Sequence, residues 1–377
     1  MHLNIPGNNI AGEIPGEGLA NLSQLVTLNI AHNRFNGFIP SQLFSLKKLQ
    51  FLALGFNLIE GTISREVGNL SLAGLYLEKN FMEGKIPIEM GNLNLLQRLV
   101  LSRNKFSGKV PLSLSNLTHL EELLLGDNML TGEIFPLVQN MSKLGRLDLA
   151  NNSFNGTIPE WLFDLENLKV LYIGENHLSL KNLDKAPRCE FQALSLPSCN
   201  ISGHMPLWLC KHTQLTLLDL RDNHLKGTIP VCLAEIKLFG ILLSGNKLAG
   251  SIPPCLFNNR KLYNLWLGRN KFTGPLPNTV GNASALRVLT LGGNNFCGQI
   301  TESISSLSQL LLLDLSENSF SGDFMSTTFS PNSSLAFVDL SSNRLTGPVP
   351  MTFSASIEVL ILGQNEFSGA LPQNLTS

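Results

Sequence analysis

Charge is scarce in this chain, and its scarcity removes several functions at once. Only 15% of the 377 residues are charged, the formal net charge is −1, and neither sign gathers into a run. A nucleic-acid binder needs a basic stripe and a membrane-surface protein needs a polybasic stretch, so neither partner is expected. No apolar run approaches the roughly 18 residues of a membrane span. The opening "MHLNIPGN" has no basic start followed by an apolar signal core. The six cysteines include no CxxC pair and the seven histidines no HExxH. No metal site and no cofactor is therefore expected. Nucleophile elbows of the GxSxG type and phosphate-cradling GxxxxGK[ST] loops are missing as well, so no residue is assigned a catalytic role and the chain is not expected to be an enzyme.

Repetition takes the place of chemistry. "LSRNKFSGKVP" at residues 101–111 returns as "LANNSFNGTIP" at 149–159, "LGRNKFTGPLP" at 267–277 and "LSSNRLTGPVP" at 340–350. With Asn104 as the register mark, matching positions fall at 8, 33, 57, 80, 104, 128, 152, 176, 199, 223, 246, 270, 294, 318, 343 and 365, separated by 22 to 25 residues. Sixteen units follow one another without a linker, so the rule of one domain per 100 to 200 residues does not apply.

One unit shows how its residues act. In "LQRLVLSRNKFSGKVP", Leu99 and Leu101 alternate with Val100 and Ser102, the period-two pattern of a short strand with one buried face. Leu96 and Phe106 join the same core. Asn104 sits where the chain leaves the strand, and its amide is expected to bond backbone groups of its own coil and the next. Gly108 permits a tight turn, and Pro111, lacking an N–H, starts the return path. A single coil cannot cover its own apolar face, so coils must stack, leucine on leucine, beside a parallel sheet.

These units resemble the plant-specific class of extracellular leucine-rich repeats, LxxLxLxxNxLxGxIPxxLxxLxx, over essentially the whole chain. The resemblance implies an α/β solenoid: a right-handed superhelix of about 16 coils of about 24 residues, with a concave parallel sheet, a second short strand near the GxIP phrase and helical turns behind. Residues 1–377 are read as one solenoid, irregular near 177–193, where "SLKNLDKAPRCEFQ" replaces the usual phrase. Phe135, Thr301 and Met325 disturb the phrase elsewhere, with local effects only. Signal peptide, terminal caps, membrane helix and kinase segment are not visible, so the chain is expected to be a fragment of a longer protein.

The SCNISG-type coil at 198–203, followed by "PLWL", resembles receptor-like proteins more than receptor kinases. Cys199 is read as a small buried residue in the asparagine slot, and Cys297 as exposed and unpaired. Cys232 and Cys255 lie at equivalent points of adjacent coils and are the expected disulfide. Sequons mark Asn21, Asn69, Asn116, Asn140, Asn155, Asn200, Asn282, Asn332 and Asn374 for glycosylation, with Asn151 a less comfortable tenth beside the concave face.

Because the repeated phrase builds scaffold, specificity must lie in the variable side chains that the strands direct outward. Stacking brings residues about 24 apart in sequence within roughly 5 Å. One expected patch combines Phe51, Phe56, Tyr76, Lys79, Arg98 and Arg103. Another combines Leu242, Asn264, Trp266, Arg269 and Arg287. Between them, Arg146, Asp148, Tyr172, Glu175, Asp219, Arg221 and Asp222 are expected to pair across strands. Ligand contacts are assigned to Phe56, Tyr76, Lys79, Arg98, Arg103, Arg146, Tyr172, Arg221, Trp266, Arg269 and Arg287, since aromatics and arginines dominate binding hot spots.

By resemblance, the function is ligand recognition by the ectodomain of a plant cell-surface receptor in defence or development. It would bind an extracellular peptide or protein and pair with a co-receptor or adaptor receptor-like kinase at the outer face of the plasma membrane. The alternative is a secreted inhibitor of cell-wall-degrading enzymes, similar to the polygalacturonase inhibitors and located in the apoplast, although those have fewer coils and two cysteine caps.

Overall fold

A computed structural model describes residues 1–323, 333–349 and 356–371. The sequons at Asn332 and Asn374 and the altered phrase at Met325 lie outside them. The chain forms two compact units, Met1–Leu180 with Pro187–Cys189, and Lys181–Ala186 with Glu190–Ser377.

In the first unit eight three-residue strands, from His2–Asn4 to Val170–Tyr172, form a parallel sheet in chain order. Leucine stands beside leucine as expected: Leu99, Leu123, Leu147 and Leu171 are successive partners in register and all are fully buried. A second parallel sheet runs from Ala11–Glu13 to His177–Ser179. Most coils then return through a short 3-10 helix such as Leu112–Asn116, entered at Pro111. The second unit repeats the plan, with strands from Ala193–Ser195 to Val359–Ile361 and a second sheet from Ser202–His204 to Arg344–Thr346. Both units are α/β solenoids of the expected kind. Between Ser179 and Ala193 no helix forms. Phe135 is buried at the head of a short α-helix, Phe135–Val138, in place of the usual 3-10 turn.

The ladder of asparagines differs from expectation in direction. Asn104 Nδ2 donates to the carbonyls of Leu101 and Ser102 in its own coil and of Leu77 in the preceding one, while its Oδ1 accepts from Met82 N–H, also in the preceding coil. The amide reaches back to two buried backbone groups of the earlier coil. One is Leu77 C=O, just past the strand Gly74–Tyr76, which also accepts from Asn80 of its own coil and has a second lone pair to offer; the other is Met82 N–H in the strand Phe81–Gly84. The residue before each ladder asparagine is held with positive φ, for example Lys79 at 53° and Arg269 at 52°.

The disulfide also differs. Cys210 pairs with Cys232, their Cα atoms 5.6 Å apart, and Cys255 is free. Successive 3-10 helices do not align position for position. A Cβ on Gly68 would meet Glu89, one on Gly91 would meet Ser113 and one on Gly281 would meet Ser303. Each places the fourth residue of one helix against the second of the next. Cys210 is fourth in Leu207–Lys211 and Cys232 second in Val231–Glu235, so they meet, whereas Cys232 and Cys255 are both second and do not. Cys199 is buried in the ladder slot and Cys297 is exposed.

Phenylalanines following the ladder fill the core. Phe106, Phe154, Phe272, Phe296 and Phe320 are fully buried. Phe367, in the last described coil, is half-buried.

Candidate ligand-binding surface

On each strand the residues flanking the central leucine face away from the core, and the chain continues into the positive-φ residue, so three variable side chains per coil share one face. In the first unit these make chains of contacts between neighbouring coils. His32 stacks on Phe56 with ring centroids 3.9 Å apart, and Lys79 Nζ lies 5.1 Å from the centre of the Phe56 ring. Tyr76 lies over Gly74, and the nearby Tyr76 hydroxyl raises the Arg98 guanidinium pKa further. Glu122 stands 3.9 Å from both Arg98 and Arg146. Arg103 pairs with Asp127 at 3.3 Å. The expected first patch is therefore split into three contact groups, around Phe56, Arg98 and Arg103, and three of their members, His32, Glu122 and Asp127, are not among the residues expected from the sequence. Each stands in an outward column but is not one of the large aromatic or arginine side chains that mark a binding hot spot in a sequence.

Asp148 and Tyr172 are register partners. Burial pushes the Asp148 carboxyl up to about 6, with Ala150 N–H opposing and Asp127 adding to the rise. Burial also raises Tyr172. An unfolded aspartate titrates near pH 3.9, so between about pH 4 and 6 the folded chain keeps a proton that the unfolded chain has lost. The stability this supplies is complete below pH 4 and is lost as the pH rises through 6. Asp148→Asn keeps the acceptor for Ala150 N–H and cannot ionise. It is expected to raise the melting temperature at pH 7 and leave it unchanged at pH 3.5, measured by differential scanning fluorimetry at the two pH values.

The second unit carries the more enclosed arrangement. Asp219 is buried at 5% exposure and holds Arg221 of its own coil by two parallel bonds, Nε and Nη2 each 2.9 Å from a carboxylate oxygen. Ser195 Oγ donates to the same carboxylate at 3.2 Å. For Asp219 and Arg221 the expected cross-strand pairing is thus replaced by a pair within one coil, Arg221 lying two residues beyond the strand end at Asp219. Fixed in this manner, the Arg221 guanidinium lies 5.3 Å from the centre of the Trp266 ring. Such a contact is worth roughly 0.5–2 kcal/mol.

Arg269 reaches across two coils to Asp222, Nη2 to Oδ1 3.0 Å. The intervening positive-φ position is Gly245, where a Cβ would collide with the Asp222 carboxylate. Glycine there opens the path for the ion pair. Trp266, Arg221 and Arg269 line a depression of about 340 Å³ whose far wall includes Thr290, Asp314 and Glu317. Gly268, Gly292 and Gly293 also line it. The Trp266 indole N–H is buried without a hydrogen-bond partner.

Arg287 does not join this group. It lies over Tyr263 at 5.0 Å, one residue before its strand, and period two turns that position away from Trp266. Leu242 is nearly buried. Asn21, Asn69, Asn116, Asn140, Asn151, Asn155, Asn200 and Asn282 are all exposed. Among the described residues no three His, Cys, Asp or Glu side chains gather as a metal-binding group.

A family model described as Leucine Rich Repeat matches residues 24–46, 95–117, 143–165, 214–236 and 285–307. Over 74 residues the chain is 35% identical to Receptor-like protein 31 of Arabidopsis thaliana, an alignment covering 19% of this chain and 9% of that protein. Its aligned segments span less than a tenth of the curated relatives' length. The solved structure of a TDR receptor is 28% identical with a TM-score of 0.77, covering 100% of this chain and 70% of that one. That of the Arabidopsis receptor kinase HAESA with the peptide hormone IDA and the co-receptor SERK1 is 29% identical with a TM-score of 0.74, covering 97% and 70%.

Proposed function

From leucine-rich repeats homologous to those of Arabidopsis receptor-like proteins and leucine-rich-repeat receptor kinases, we propose that this chain is the ligand-recognition part of a plant cell-surface receptor. It binds an extracellular peptide or protein on the exposed face of its strands and pairs with a co-receptor or adaptor receptor-like kinase at the outer face of the plasma membrane. The observation that carries the reading is Trp266. A large ring stands at an outward strand position, steadied by an arginine that a buried aspartate fixes in place, in a depression large enough for one ligand side chain. Pre-organised aromatic and arginine groups in a recess are what binding hot spots require. The Cys210–Cys232 disulfide fits an oxidising, extracellular compartment. Recognition rather than catalysis is the role read for the molecule.

The test is a chimera. Fused to the membrane and kinase segments of a receptor kinase with a known output, the chain is expected to confer a response to fractionated apoplastic peptides and proteins in plant cells. Trp266→Ala with Arg269→Ala is expected to weaken that response by about 2 kcal/mol in ligand affinity or more, some thirtyfold in half-maximal dose, at unchanged melting temperature. A dose-response curve identical to the unsubstituted chain's removes the Trp266 recess from the ligand site.

A further inference from the structure

A second depression, of about 380 Å³, lies in the first unit between the coil of Asn128 and that of Asn152. Phe135, Pro136, Pro159 and Trp161 supply its apolar lining, Glu133 and Gln139 polar groups. It exists because the sequence there breaks the repeat. "GEIFPLVQN" shifts the proline by one residue, and the α-helix Phe135–Val138 replaces the usual turn. Trp161 is the second residue of the helix Glu160–Asp164. Its counterpart Trp208, second in Leu207–Lys211, is buried and donates its indole N–H to Leu183 O at 2.7 Å. Trp161 has no such cover and stays half-exposed. A large half-exposed ring in a recess with scattered polar groups suits an amphipathic occupant.

The same depression is lined by Asn155, Gly156 and Thr157, which together form a complete glycosylation sequon on an exposed stretch of strand. We propose that Asn155 carries an N-linked glycan whose first N-acetylglucosamine occupies this depression, its apolar ring face against Trp161 and its hydroxyl and acetamido groups toward Glu133 and Gln139. Attachment uses a lipid-pyrophosphate-linked oligosaccharide as donor. The bond between Asn155 Nδ2 and the sugar C1 forms as the bond from C1 to the pyrophosphate oxygen breaks, and the lipid pyrophosphate leaves with the proton released from the amide. Covalent tethering makes the docking intramolecular, so a contact too weak to hold a free sugar still fills the site. The glycan then covers the gap that the irregular coil leaves, and its role is to support the fold beside the depression, apart from any ligand on the strand face.

The chain is secreted from plant cells and its glycans are trimmed enzymatically to one N-acetylglucosamine each. Mass spectrometry of the peptide containing residue 155 is expected to find the sugar attached. Trimmed chain should melt about 1–4 °C above Asn155→Gln and above Thr157→Ala, which leaves the asparagine in place. In the Trp161→Ala background that difference should vanish. Acrylamide quenching gives a second reading that needs no change at Trp161: emission should be less quenched in the trimmed chain than in Thr157→Ala. An unmodified Asn155, a melting difference that persists without Trp161, or equal quenching overturns the proposal.

Discussion

Asn223→Ala is expected to destabilise the second unit by about 2–6 kcal/mol. Its Oδ1 accepts from two N–H groups of the preceding coil, Cys199 at 3.1 Å and Ile201 at 2.9 Å. Its Nδ2 donates to Leu196, Leu220 and Arg221 carbonyls at 2.9, 3.0 and 2.9 Å. The residue is 3% exposed, so water cannot replace the lost amide. Each buried N–H left without a partner costs about 1–3 kcal/mol, and alanine strands two of them. Asn8→Ala supplies the contrast. Asn8 is exposed and bonds only Ile5 and Pro6 carbonyls of its own coil, so its loss should cost no more than about 0.5 kcal/mol. Urea unfolding followed by circular dichroism measures both. Equal midpoints for the two variants would contradict a ladder that works by tying one coil to the coil before it.

The contrast explains why the scaffold could be read from the sequence and the surface only in part. Leucine spacing dictates the strand partners, since a core stacked leucine on leucine admits one register, and Leu123 beside Leu147 follows from counting alone. Position in the helical turns is different. The offset that brings Cys210 to Cys232 is the stagger of successive 3-10 helices, fourth residue against second, for which equal counting from the asparagine has no term. On the exposed face the columns were legible and their pairings were not. Arg269 meets Asp222 two coils away because Gly245 leaves the space between them bare. Arg221 turns to Asp219 two residues away in its own coil. Arg287 sits one residue outside its strand and so belongs to Tyr263. Side-chain reach, and the gaps that glycines open for it, decide such contacts. Both are properties of the assembled surface, not of any single repeat.

Phe296→Ala is the second large effect expected, about 3–5 kcal/mol. Phe296 is the middle ring of three, 6.1 Å from Phe272 and 6.0 Å from Phe320 between centroids and within 13° and 10° of parallel. All three are fully buried. Removing an end ring would leave a void with one aromatic wall, but removing the middle one takes contact from two coils at once. The void cannot close by collapse, because the backbone of its coil is held in register on both sides, Val288–Thr290 pairing with Asn264–Trp266 and with Leu312–Asp314. Phe296→Leu retains most of the volume and should cost roughly half as much or less. Phe239→Ala, at 49% exposure and with Lys261 Nζ 6.0 Å from its ring centre, should stay within about 1 kcal/mol. A stacked-coil protein spends its stability at interfaces between neighbours, so the loss should be local before it is global. Hydrogen exchange is expected to find Leu289 and Leu313 amides deprotected in Phe296→Ala while Leu218 and Ile241 retain their protection. Uniform deprotection across the second unit would mean that its coils unfold as one body, and that nearest-neighbour stacking does not govern its stability.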